Sequence, residues 1–167
     1  MTTVFTHLES PLGLLLLSGV DAEDGFALTA VTAPRQKGAL TEPADGWTHD
    51  PQPLAPAVEQ LTAYFAGELT EFDLRLAPVG TDFRQRIWSA LDDIPYGKTV
   101  TYGELGAAAG QSPRAVRAVG GAVGANPLLI VRPCHRVMGA NGALTGFAAG
   151  VDAKRWLLAH ESGTTLF

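Results

Sequence analysis

The stretch Thr101-Tyr102-Gly103-Glu104-Leu105-Gly106-Ala107-Ala108-Ala109-Gly110-Gln111-Ser112-Pro113-Arg114-Ala115-Val116-Arg117 holds the densest set of local structural signals in this chain. Thr101 is placed to cap a helix from Tyr102 to Ala109, which Gly110 ends. Ser112 is placed to cap the next helix, with Pro113 in its first turn and Val116, Val119 and Val123 along it. Two short helices joined by Gly110-Gln111-Ser112 have the connection length of a helix-turn-helix. Helix pairs with a glycine turn also occur in plain bundles, so this feature alone leaves DNA binding and simple packing both open. Arg114 and Arg117 lie on the second helix of the pair.

Outward from this pair the second half of the chain stays helical. Asp82 can cap a helix carrying Phe83, Ile87, Trp88 and Leu91 that ends near Pro95-Tyr96-Gly97, and a last helix from Asp152 to His160 carries Trp156, Leu157 and Leu158. The first half reads differently. Val4 to Leu8 alternates, Ser10-Pro11-Leu12-Gly13 turns, and Leu14 to Ser18 and Phe26 to Thr32 are further apolar runs separated by the loop Asp21 to Gly25, which together predict a small antiparallel meander. Residues 33–56 read mainly as loop, Ala57, Leu61, Tyr64 and Phe65 as a helix stopped near Gly67, and Phe72, Leu74 and Leu76 as a strand. Pro78-Val79-Gly80 is the expected linker. The pattern predicts an α+β protein with a β-rich domain over residues 1–78 and a helical domain over 79–167.

Composition agrees with a folded chain: of 167 residues, 46% are apolar and 17% charged, with a net charge of −5. Cys134 is the only cysteine, which excludes an internal disulfide framework and a multi-cysteine zinc site. The run Leu12 to Leu17 is too short to span a bilayer, and no Lys or Arg precedes Arg35 to form a leader's charged region. These features predict a cytoplasmic protein with no membrane partner. Charge is unevenly divided, since residues 1–80 hold 3 basic and 11 acidic side chains whereas 81–167 hold 9 basic and 6 acidic. From Leu105 to Val151 there is no Asp or Glu, while Arg114, Arg117, Arg132 and Arg136 all fall there. A solvated surface and an anion-facing surface both fit that stretch.

The chemistry centres on Leu128-Leu129-Ile130-Val131-Arg132-Pro133-Cys134-His135-Arg136-Val137. A lone cysteine is most often a small buried hydrophobe. Here the thiol follows a proline and precedes a His-Arg pair, neighbours that favour the nucleophilic thiolate. On an extended chain adjacent side chains point to opposite faces, so His135 is expected to reach the sulfur through a water. Gly120-Gly121-Ala122-Val123-Gly124 is set aside as a dinucleotide loop, because no strand precedes it and the spacing does not fit.

Pro133-Cys134-His135-Arg136-Val137 resembles the active-site motif of the 6-O-alkylguanine-DNA alkyltransferases, the methylated-DNA-protein-cysteine methyltransferases. Asn126-Pro127, Arg117-Ala118-Val119-Gly120, Tyr102 and Trp156-Leu157-Leu158-Ala159-His160-Glu161 resemble further signatures of that family in the same order. The resemblance covers residues 81 to 163 strongly. It implies a ribonuclease-H-like first domain and a second domain that binds double-stranded DNA, with single-turnover transfer of the alkyl group of 6-O-methylguanine, and of 4-O-methylthymine, to Cys134.

The same resemblance assigns roles. His135 would take the thiol proton through a water and Glu161 would hold the imidazole, as in a catalytic triad. Asn126 would tie the active-site turn and support the thiolate, and Tyr102 would donate a proton to the departing guanine. Arg117 would fill the space of the flipped nucleotide, with Ser112, Arg114 and Arg136 also on the DNA face. Pro133, Phe147 and Ala148 would line the base pocket. The implied protein is a monomer with no cofactor and no metal. Phe147 and Ala149 replace residues that are often Tyr and Gly in the family, which bears on pocket width, and Arg132 stands where the family is often apolar and is expected to be exposed and paired. Three rivals differ in chemistry: a binding-only relative, which would lack the acceptor cysteine; a helix-turn-helix regulator, in which Cys134, His135 and Glu161 would coincide by accident; and a Cys-dependent hydrolase, which would need an oxyanion hole and would turn over repeatedly.

Overall fold

The structure is a computed structural model that describes residues 2–144 and 147–163. Its first half is a four-stranded sheet: β1 (Thr3–Ser10), β2 (Gly13–Ala22), β3 (Gly25–Thr32) and the short β4 (Thr48–His49), in the order β3-β2-β1-β4. The meander predicted from alternation forms as an antiparallel β1-β2-β3 unit, and β4 pairs parallel to β1 from within the segment read as loop. At the β1–β2 turn, Ser10 Oγ accepts from the Leu12 amide and donates to the Gly13 carbonyl, while Gly13 takes a φ of +100° that a side chain would resist. Register shifts between Ser18 and Gly19, and a Cβ on Gly19 would lie 2.3 Å from the Phe26 ring, so glycine is required there.

Helix α1 (Ala55–Phe65) buries Ala57, Leu61 and Tyr64. The second half follows with α2 (Asp82–Leu91), β5 (Val100–Thr101), α3 (Tyr102–Ala108), a 3₁₀ turn (Pro113–Ala115), α4 (Val116–Gly124), a second 3₁₀ turn (Cys134–Arg136), β6 (Val137–Met138) and α5 (Val151–Ser162). Thr81, rather than Asp82, caps α2 by accepting from the Arg84 amide. Thr101 and Glu104 form a full capping box on α3, with reciprocal bonds of 3.1 and 2.9 Å. Ser112 sits in extended conformation before Pro113, but its side chain makes no capping bond; the chain winds through the 3₁₀ turn before α4 starts at Val116. Trp88 Nε1 donates to the Ala122 carbonyl at 2.8 Å, clamping α2 to α4.

Phe72, Leu74 and Leu76 do not form the expected strand; pairing is confined to a bridge between Leu28 and Leu76. The outer edge of β3 explains this. Leu28 exchanges backbone bonds with Arg75 and Ala77, whereas Val31 exchanges them with Pro127 and Leu129, so the edge is divided between two segments and neither runs far. One continuous apolar core results. It joins Leu15, Leu17, Leu28 and Val31 of the sheet to Leu61 and Tyr64 of α1, Ile87 and Trp88 of α2, Val119 of α4, the run Leu128 to Val131, and Leu157 of α5. Among the described residues no helix is long and apolar enough to cross a membrane.

Candidate active site

The segment from Leu128 to Arg136 is a chain of turns, and Cys134 and His135, expected as neighbours on an extended chain, lie in its 3₁₀ turn. Arg132 donates its amide to the Leu128 carbonyl, Cys134 to Arg132, and Arg136 to Pro133, at 2.8 to 3.0 Å. Ile130 takes a φ of +72°, a left-handed conformation that costs a β-branched residue about 1–3 kcal/mol and persists only where the surroundings enforce it. Asn126 is the enforcing group. Its Oδ1 accepts from the Leu128 amide at 3.1 Å, and its Nδ2 donates to the carbonyls of Leu128 and Arg132 at 3.3 and 2.9 Å. One side chain thus spans the turn that delivers Cys134.

Cys134 is 5% exposed. Burial pushes its thiol up to about 11, against the opposing pull of Asn126, the Lys154 charge and the amides of residues 134 and 135. At neutral pH the resting sulfur therefore carries its proton, and attack needs a base. His135 is fully buried, and its Nε2 lies 2.7 Å from Glu161 Oε2. Among the described residues its Nδ1 has no hydrogen-bond partner.

Glu161 is the hub of the site. Its Oε2 accepts from the Tyr64 hydroxyl at 2.6 Å and from Arg136 Nη2 at 3.0 Å, and its Oε1 accepts from Arg136 Nε at 2.7 Å. Burial alone would raise its pKa, but the bonds from His135, Arg136 and Tyr64 outweigh burial and hold it well below the usual carboxylate range. Burial likewise lowers His135, against the pull of Glu161. Both shifts describe the same state, a neutral imidazole beside a carboxylate. An ionised carboxylate only accepts hydrogen bonds, so Nε2 must carry the imidazole proton, which leaves the Nδ1 lone pair as the basic site.

The cavity at Cys134 is lined by Gln36, Tyr102, Gly120, Val123, Gly124, Asn126, Leu129, Phe147 and Ala148, and its volume of about 40 Å³ is room for small groups only. Tyr102, Asn126, Phe147 and Ala148 thus share one cavity with Cys134. Arg117 is exposed on α4, one turn before the cavity wall at Gly120; Arg114 and Ser112 are exposed on the approach to that helix. Thr145 and Gly146 of the pocket loop lie outside the described residues.

The placement of three further residues differs from a plain reading of the motif. Arg136, expected on the DNA face, is buried; it clamps Glu161 and donates to the Ile94 carbonyl at 2.6 Å, so its guanidinium is committed inward. Pro133, expected in the base pocket, lines a groove of about 430 Å³ with Phe72, Ile94 and Tyr96 and is not among the residues that line the small resting cavity at Cys134. Arg132 is paired with Asp92 at 3.3 Å as anticipated, but its side chain is only 12% exposed.

Sequence reasoning passed over three residues. Lys154 is wholly buried on α5, donates to the Val137 carbonyl at 2.6 Å and lies 6.0 Å from the Phe147 ring centroid. A signal existed: Lys154, Leu157 and Glu161 share one helical face, so a lysine occupies a core position. Gln36 accepts from the Ala33 amide, and next to it Lys37 donates its amide to the Ala148 carbonyl, fastening the pocket loop to the first half. Tyr64 was read only as an apolar helix position. Its hydroxyl reaches a carboxylate 97 residues away, which no local pattern announces.

Known proteins match this arrangement along nearly the whole chain. Residues 82–163 match the 6-O-methylguanine DNA methyltransferase DNA binding domain, and residues 3–78 match the 6-O-methylguanine DNA methyltransferase ribonuclease-like domain. The methylated-DNA–protein-cysteine methyltransferase of Mycolicibacterium paratuberculosis is 51% identical, covering 94% of this chain and 91% of its own. That of Methanosarcina acetivorans is 48% identical, covering 94% and 97%. The crystal structure of Mycobacterium tuberculosis OGT in complex with DNA superposes with a TM-score of 0.85 at 46% identity, covering 98% of this chain and 94% of that one. With the motif residues, the mixed fold and these matches in agreement, the chain belongs to the 6-O-methylguanine DNA methyltransferase family.

Proposed function

We propose that this chain is a methylated-DNA–protein-cysteine methyltransferase that repairs double-stranded DNA by moving the alkyl group of 6-O-methylguanine, and of 4-O-methylthymine, onto Cys134 in one irreversible turnover. The observation that carries this reading is the buried hydrogen-bonded pair His135–Glu161, whose histidine is the chain neighbour of a lone buried thiol, with Tyr102 in the cavity at that thiol and Arg117 exposed on the adjoining helix. Cys134 loses its proton through a water to Nδ1 of His135, and Sγ forms its bond to the alkyl carbon as the carbon–oxygen bond breaks. The electron pair leaves on the guanine oxygen. Tyr102 gives the departing base a proton and regains one from solvent, while His135 releases the proton it took, so the charges balance.

Asn126 holds the turn that presents the sulfur, and Lys154 adds a positive charge that favours the thiolate. The alkyl carbon is out of reach inside a duplex, so the base must be extruded, and the small resting cavity must widen to receive it. Arg117, supported by Arg114 and Ser112 before it, occupies the vacated space from the minor groove. In this reading residues 1–78 and 79–167 are the two domains, the protein is a cytoplasmic monomer, and no metal or cofactor takes part. Cys134→Ser is the direct test. The variant should bind a duplex bearing 6-O-methylguanine as well as the parent protein does and transfer no methyl group; methyl transfer by the variant would show that another residue accepts it.

A further inference from the structure

The carboxylate of Glu161 receives hydrogen bonds from three side chains, and one comes from the other half of the chain. His135 and Arg136 sit on the turn that carries Cys134, whereas Tyr64 is on α1, against the sheet. Tyr64 is held at both ends. Its ring packs between Phe72, Tyr96 and His160, with centroids 5.6, 6.2 and 5.2 Å away, and its own backbone carbonyl lies 2.7 Å from His160 Nε2. The phenol is wholly buried and directed at Oε2, the same oxygen that meets His135.

A buried tyrosine hydroxyl needs some acceptor, so the bond alone could be simple satisfaction of a polar atom. The choice of acceptor argues for more. A short bond to an ionised oxygen is charge-assisted, and it fills a direction around Oε2 that would otherwise let the carboxylate turn away from the imidazole. We propose that Tyr64 is a positioning residue of the alkyl-transfer site: its hydroxyl fixes the Glu161 carboxylate and, through it, the orientation and tautomer of His135. The first half of the chain thereby completes the machinery of the second. The inference rests on the reading of His135 and Glu161 as base and orienting group.

The groups that face Glu161 are Tyr64 from α1, Tyr96 from the segment after α2, and His135 and Arg136 from the turn; on α5 itself, Lys154 acts on His135 and Cys134, and His160 lies against Tyr64. Removing the phenol donor leaves more uncompensated negative charge on Glu161, and that charge favours the protonated imidazole. The acidic limb of the rate profile, which reports loss of the neutral base, should therefore move to higher pH in Tyr64→Phe.

Single-turnover transfer from a labelled methylated duplex, followed from acid to alkaline pH in the full chain, tests this. Rates are scaled to burst amplitude so that they count active molecules only. In Tyr64→Phe the plateau rate should fall about tenfold, the size usual for loss of an outer hydrogen-bond partner, with lesion affinity unchanged and the acidic limb displaced upward. In a Glu161→Gln background the same substitution should cost nothing further, since its effect runs through that carboxylate. A fluorinated tyrosine at position 64, which keeps the shape but donates more strongly, should move the limb to lower pH, and it remains informative if Tyr64→Phe folds poorly. A lower burst amplitude with rate constant and limb unchanged would make Tyr64 merely structural and overturn the proposal. If Glu161→Gln itself leaves the rate unchanged, the reading of the pair fails instead.

Discussion

The two halves of this molecule meet at one carboxylate, and they are built on different principles. In the second half the functional groups are gathered by local chain geometry: Asn126 ties a turn, the turn carries the buried Cys134, and His135 and Arg136 follow within two residues to meet Glu161. The first half contributes through packing. Its sheet shares the β3 edge with Pro127 and Leu129, Lys37 fastens the pocket loop at Ala148, and Tyr64 reaches Glu161 from a helix. Chemistry is concentrated in one half, while the rigidity that holds it in register comes from both.

The contrast is sharpened most by removing the charge where the halves meet. Glu161→Gln keeps the shape of the side chain but leaves no anion to define the imidazole tautomer, so transfer should slow by about a hundredfold while lesion binding persists. The acidic limb of its rate profile should move to lower pH, because the carboxylate that favours imidazolium is gone. Stability carries a second signature. The folded-state pKa of Glu161 is depressed, so its stabilising contribution is fully present above the unfolded value of about 4.3 and is lost as pH falls below it. Urea midpoints should accordingly drop between neutral and strongly acidic pH more in the parent protein than in the variant. An equal drop in both would separate Glu161 from the acid sensitivity of the fold.

A smaller effect is expected at the outer face of the second half. Arg117→Ala should slow transfer from duplex DNA about tenfold yet leave reaction with free 6-O-benzylguanine within about twofold, because only the duplex requires a base to be extruded. Single-turnover assays on both substrates decide it. Equal slowing would move Arg117 from the DNA face into the support of the pocket.

What was legible in the sequence follows the same division. The meander and the capped helix at Thr101 depend on periodicity and turn chemistry within a few residues, and they form where the pattern put them; the second helix of the glycine-turned pair follows as well, but it starts at Val116 after a 3₁₀ turn and without a Ser112 cap. Cys134, His135, Asn126, Tyr102 and Glu161 carry a motif, and the structure gathers them round one thiol and one carboxylate. The misread segments are those decided at a distance. Cys134 and His135 read as neighbours on an extended chain, but Asn126 bridges the backbone just before them, the chain there runs through turns, and Ile130 is left-handed. Residues 72–76 alternate like a strand but find only part of the β3 edge open to them. Arg136 reads as a surface cation in an acid-free stretch, yet its partner is Glu161, 25 residues on. Lys154 was detectable as a charge on an apolar helical face; the hydroxyl of Tyr64 was not.

The claim that Cys134 is an acceptor consumed in the reaction sets this protein apart from every enzyme that turns over. The thioether formed on Cys134 offers no leaving group that water or a second thiol displaces under mild conditions. Titrating the protein with excess duplex that bears a labelled 6-O-methylguanine, and measuring both label transferred and intact mass, tests this directly. The account predicts a single burst equal to the protein present, a mass gain of one methyl group in place of hydrogen, and all of that gain on the peptide containing Cys134. Continued release of methanol or of methylated small molecules after the burst, or a methyl group on any other residue, would contradict it.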